Sequence, residues 1–90
     1  METRILETFL LVAESGGLSS AASILGVPQS QVSRHVKELE EACGTPLLYR
    51  HGRGVSLTLA GERLQEQVRP LLTQLQEAIA DAGAQDRKPA

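Results

Sequence analysis

The stretch SAASILGVPQSQVSRHVKELEEAC, residues 20–43, reads as two helices meeting at a sharp corner. Ala22, Gly26 and Val32 stand four and six residues apart, with Leu25, Val27 and Val36 as accompanying apolar positions. Each spacing has a steric reason. A small side chain at Ala22 lets two helix backbones approach closely, Gly26 turns the chain, and Val32 and Val36 fill the angle between crossing helices. Such a corner is a helix-turn-helix, whose second helix docks in a DNA major groove.

The wheel of that second helix, which begins after Pro28, separates two faces. With Val32 as origin and about 100° per residue, Val36, Leu39 and Cys43 fall within about 40° of it, while Ser30, Lys37 and Arg34 fall about 140° to 200° away. A hydroxylic and basic face opposes the core. Glu38, Glu40 and Glu41 all lie in the carboxyl-terminal half, and residues 28–37 contain no acid. The amino-terminal half is the end expected to enter a groove. Cys43, late in the apolar pattern, is expected to be a buried, inert thiol.

Upstream, Ile5, Leu6, Phe9, Leu10, Val12 and Ala13 recur at helical spacing over residues 3–15, and Gly16 and Gly17 stop that first helix. Ser19 is a candidate cap for a short second helix over residues 20–25. Downstream, Gly44 and Pro46 end the third helix, and residues 47–50 and 55–57 read as two short strands flanking His51, Gly52, Arg53 and Gly54. No acid occurs between Glu41 and Glu62, so this hairpin with Arg50 and Arg53 is locally cationic. A glycine-flanked arginine on a thin loop suits a narrow minor groove, where negative potential is enhanced.

Thr58 is an N-cap for a last helix in which Leu64, Val68, Leu71, Leu75 and Ala78 or Ile79 form an apolar seam. Over residues 58–82 that helix is about 37 Å long, more than so small a domain can cover, so the seam is expected to pair with a second copy. Pro70 predicts a kink there or an early helix end. If the seam folds back on the first helix instead, Leu64 and Val68 are the residues to do it. Residues 83–90 lose the period and read as a hinge or tail.

Ninety residues, 41% of them apolar, make one domain with a core, and the two aromatics leave its packing to aliphatic side chains. The net charge of −2 conceals the local basic elements. One cysteine permits no internal disulfide and suggests a reducing, cytoplasmic setting. Cys43, His35 and His51 are too few for a structural zinc site, and no apolar run has the length of a membrane span. No cofactor is expected. Catalysis lacks its parts: Gly52 and Gly54 have no strand-to-helix context for a dinucleotide, and the side chains of Ser33 and His35 diverge by about 200° on one helix.

In order, these elements describe a mainly α fold: a winged helix-turn-helix with a three-helix core and a short β-hairpin wing (1–57), a long linker helix (58–82) and a hinge or tail (83–90). The stretches FLLVAESGGLSSAASILGV (9–27), QSQVSRHVKELEEACGTPLLYR (29–50) and GRGVSLTLAGERL (52–64), at these intervals, resemble the amino-terminal domain of LysR-type transcriptional regulators. The resemblance implies sequence-specific binding of double-stranded DNA by a homodimer on an imperfect palindrome. It implies that Gln29, Ser30, Ser33 and Arg34 make groove and phosphate contacts, with Lys37 on the same basic face. It further implies that Arg50 and Arg53 are wing arginines and that Ser19 and Ser20 lie where a hydroxyl can touch phosphate, Ser19 being a cap in the alternative. His35, on the helix flank, is expected to face solvent.

Pro28 departs from the family pattern, standing where many members have a capping Ser or Thr. The resemblance also makes this chain a DNA-binding piece of a longer regulator, whose carboxyl-terminal domain would take a small-molecule effector and support a tetramer. Two alternatives stand beside it: a winged-helix protein-interaction module working through the seam, and the similar DNA-binding domain of molybdate-responsive repressors.

Overall fold

The computed structural model describes residues 2–86, with the side chains of 2–84. Its order is α1 (Thr3–Ser15), α2 (Leu18–Leu25), α3 (Gln29–Cys43), β1 (Leu48–His51), β2 (Gly54–Leu57) and α4 (Leu59–Asp86). The sequence thus folds as a mainly helical, winged helix-turn-helix unit carrying a long final helix. Among the described residues no helix is long and apolar enough to cross a membrane.

Two apolar clusters hold the three-helix unit. Val12, Leu18, Ala21, Ala22, Val32 and Val36 form the one at the corner. Ile5, Phe9, Leu39 and Leu47 form the other, at the opposite end of α1 and α3. Leu48 packs on both, so the wing's first strand is rooted in the core. Gly26 closes α2 at φ 69°, a left-handed conformation that favours glycine, and its amide returns to the carbonyls of Ala22 and Ser23.

Several boundaries differ from the sequence-based expectation. The N-cap of α2 is Gly17, not Ser19, and the helix begins at Leu18 because Leu18 is buried in the corner cluster and draws the helix start back. Pro28 sits at the start of α3 with no side-chain cap, as its lack of an acceptor dictates. The hairpin is tighter than expected: His51 pairs with Gly54 and Leu48 with Leu57, leaving only residues 52 and 53 for the turn.

Cys43 is exposed, not buried. It lies on the core side of the wheel but on the last turn of α3, one turn past Leu39, the last buried residue of that helix. His35 is partly buried, not solvent-facing. Thr8 Oγ1 donates to the Arg4 carbonyl at 2.9 Å, so at 3.0 Å it accepts from His35 Nδ1–H. That bond ties α1 to α3 and explains how Thr8 can be a buried polar side chain.

Helix α4 starts as expected, with the Gly61 amide donating to Thr58 Oγ1 at 3.1 Å. It runs unbroken past Pro70 and past residue 82 to Asp86; the rest of the expected tail, 87–90, lies outside the described residues. Pro70 is exposed, so the carbonyl it leaves without a donor can turn to water rather than break the helix. Along it Val68 and Leu71, like Leu72 and Leu75, stand about 60° apart around the axis, which divides the seam into an inner and an outer stripe. Leu64, Val68 and Leu72 pack inward, with Val68 and Leu72 buried, whereas Leu71, Leu75 and Ile79 are exposed. Arg69 and Glu14 add an ion pair of 2.9 Å between α4 and α1. Both side chains are half-exposed, so it contributes little beyond orientation.

Candidate nucleic-acid interface

The polar face of α3 and the wing meet at one place. Arg50 Nη2 donates to Ser33 Oγ at 3.4 Å, bringing the last residues of β1 over the amino-terminal half of α3. A cleft of about 350 Å³ lies between them, lined by Leu18, Ser33, Val36, Lys37, Glu40, Leu48, Arg50 and Val55. A second, shallower cleft joins the start of α2 to the same surface and is lined by Ser19, Gln29, Arg50 and His51 among others. Gln29, Ser33, Lys37, Arg50 and Ser19, drawn from three elements, therefore border one continuous surface.

Ser30 and Arg34 are exposed on the polar face of the same helix. Arg53 is exposed at the wing turn. Ser20 is exposed, but its hydroxyl lies 2.9 Å from Ser15 Oγ and 3.1 Å from the Gly17 carbonyl, either of which can take its single proton, so it braces the α1–α2 turn. Ser19 borders that cleft, at the first turn of an eight-residue helix whose free backbone amides favour an anion.

Two anchors fix the wing, and the sequence reading missed both. Glu40 Oε2 accepts from the amide of Leu47 at 2.7 Å and from that of Leu48 at 3.3 Å, so a carboxylate on α3 holds the entry to β1. Read by sequence, Glu40 is one of three acids on a solvated helix end, and only the returning chain gives it a partner. The second anchor is the Gly16 carbonyl, which accepts from the Val55 amide at 3.0 Å and ties β2 to the α1–α2 turn.

Glu40→Gln keeps one oxygen acceptor but loses the charge, which about doubles the strength of such a bond. It is expected to lower stability by about 1 kcal/mol and to loosen the wing, measured by denaturant unfolding and by amide exchange at residues 47 and 48. Unchanged exchange there would show that the carboxylate does not hold the strand.

The sequence model of the bacterial regulatory helix-turn-helix proteins of the lysR family matches residues 3–62. The chain belongs to the lysR family. Its LysR-type domain is similar to the transcriptional regulator CzcR of Bacillus cereus, 43% identical over 77 residues that make up 86% of this chain and 27% of that protein. It is equally similar to DgdR of Burkholderia cepacia, 43% identical over 81 residues, 90% of this chain and 28% of the relative. The chain thus spans little more than a quarter of the length of the curated relatives it matches.

Among solved structures, the CbnR DNA-binding domain in complex with DNA superposes with a TM-score of 0.89 at 37% identity, covering 97% of this chain and all of that one. The BenM DNA-binding domain bound to catB site 1 DNA gives 0.93 at 29% identity, with full coverage of both. This LysR-type domain is accordingly a DNA-binding unit of a transcription regulator and not an enzyme, and the molybdate-responsive alternative falls away.

Proposed function

We propose that this domain reads duplex DNA with the amino-terminal half of α3 in the major groove and the wing at the adjacent minor groove. The observation that carries the reading is the Arg50–Ser33 contact, because it brings the cationic hairpin onto the acid-free half of the recognition helix. Gln29, Ser30, Ser33 and Arg34 then face base edges and phosphates, and Lys37 and Arg50 neutralise the backbone. Arg53 reads groove width, and Ser19, with Ser20 behind it, meets a phosphate at the start of α2. Similar domains solved in complex with DNA support duplex binding.

The partner of α4 is a second copy. Leu71, Leu75 and Ile79, exposed at 61%, 42% and 65%, form a stripe that nothing among the described residues covers, whereas Leu64 and Val68 turn toward the chain's own core and lie at the margin of that interface. Two-fold pairing along this stripe sets two recognition helices about 34 Å, or a multiple of it, apart. The target is then an imperfect palindrome. In the full-length regulator a further domain takes a small-molecule effector, supports a tetramer, and acts with this one in the cytoplasm.

Leu71→Asp places a charge in the stripe and is expected to give monomers in sedimentation that bind a single half-site weakly; a surviving dimer would contradict the assignment. Selection of bound sites from random duplexes tests the whole reading. It is expected to return paired half-sites one or more helical turns apart, and sites with no enriched bases or spacing would refute it.

A further inference from the structure

The tip of the wing is closed by one imidazole. The Arg53 amide donates to His51 Nδ1 at 3.1 Å, and His51 Nε2 lies 2.7 Å from Ser56 Oγ. A ring nitrogen that accepts an N–H carries a lone pair and no hydrogen, so the neutral ring bears its proton on Nε2 and donates it to Ser56. Closure on the amide two residues ahead is what Asn or Asp performs in an Asx turn. Ser56 is opposite Tyr49, diagonal to the His51–Gly54 pair, so a single ring braces both the turn and the returning strand.

We infer that His51 is a positioning residue for the wing: in its neutral form it holds the backbone of Arg53, and through it sets how sharply the wing discriminates groove shape. The inference rests on the proposed minor-groove role of Arg53. His35 serves as an internal contrast, because its Nδ1–H is a donor, to Thr8, where His51 Nδ1 is an acceptor. The two histidines of the chain hold opposite roles at the same ring atom.

Charge reverses the His51 arrangement. An imidazolium carries hydrogen on both nitrogens and cannot accept the Arg53 amide. Its titratable or charged neighbours on the hairpin are Tyr49, Arg50 and Arg53, while Ser19 and Gln29 across the cleft are neutral. Protonation therefore releases the turn and adds a cation to a cationic surface. Affinity for any duplex should hold or rise while preference for a narrow-groove flank falls.

The test compares two duplexes with the same half-sites and either A·T-rich or G·C-rich flanks. His51→Ala is expected to reduce the flank preference about three- to fivefold, the loss of roughly one hydrogen bond. His51→Asn should restore it through an Asx turn. In nuclear magnetic resonance of the free domain, the Arg53 amide should be protected from solvent exchange, lose that protection in His51→Ala and keep it in His51→Asn.

Equal weakening on both flanks by His51→Ala would make the ring a plain phosphate contact and overturn the inference, as would an Arg53 amide indifferent to the ring. Arg53→Ala separates the two levels. If it leaves flank preference intact, the minor-groove role of the wing fails and the inference with it; if it abolishes preference and His51→Ala does not, only the inference fails.

Discussion

Gly54→Ala is expected to cost the domain about 3 kcal/mol and to detach the wing from the α1–α2 turn. Gly54 has φ 129°, a conformation that side-chain-bearing residues rarely adopt and that alone costs of order 1–3 kcal/mol. A Cβ there would collide with the Gly16 carbonyl oxygen, a backbone atom that cannot swing aside as a side chain would. The same oxygen accepts the Val55 amide, so relieving the clash breaks that anchor and adds about 1 kcal/mol. Denaturant unfolding gives the stability, and the Val55 amide exchange rate reports the anchor. A loss below about 1 kcal/mol, with Val55 still protected, would show that the wing is not held there.

Arg34→Ala is expected to weaken binding to the selected operator by about 1 to 3 kcal/mol, up to about a hundredfold, and to relax preference at the base it pairs. The argument is positional. Arg34 is exposed on the polar side of α3, a residue past Ser33, which Arg50 touches, and in the half of the helix that holds no acid. A guanidinium there can bridge two acceptors of a guanine edge, which alanine cannot replace. Lys37→Ala, one turn further along, is expected instead to weaken all duplexes alike. Titration against matched and single-base-altered operators distinguishes the two, and unchanged affinity for every duplex would remove Arg34 from the reading surface.

The helices were legible because their signals are local. Residues 3–15 carry an apolar stripe closed by two glycines, and α1 spans those residues; the Ala22–Gly26–Val32 spacing likewise located the corner and the start of α3. Properties set by distant chain were not legible. The wheel groups Cys43 with the core positions, yet it is exposed, because a wheel carries no information on whether a neighbour covers the last turn. His35 appeared to be a flank residue until Thr8, 27 positions earlier, supplied a partner.

The wing shows the same division. Its composition announced a cationic hairpin, yet its anchors, Glu40 to Leu47 and Gly16 to Val55, join parts separated by 7 and by more than thirty residues, and no spacing rule encodes them. In α4 the four-and-three alternation was visible as one seam. Which stripe faces inward follows from where α1 lies, and that turned Leu72, an unremarked position, into a buried one beside Val68.

The central claim is that α3, the start of α2 and the wing form one cationic reading surface within a chain whose net charge is −2. Its most direct measurement is the salt dependence of duplex binding. The logarithm of the affinity should fall linearly with the logarithm of salt concentration, by about 0.9 for each phosphate neutralised, giving a slope of about −3 or steeper per domain with Arg34, Lys37, Arg50 and Arg53 engaged. Replacing Arg50 and Arg53 together by alanine should make the slope shallower by about 2, while replacing Arg69, on the α1–α4 side, should leave it unchanged. A slope indifferent to the wing arginines, or lost with Arg69 instead, would contradict the account.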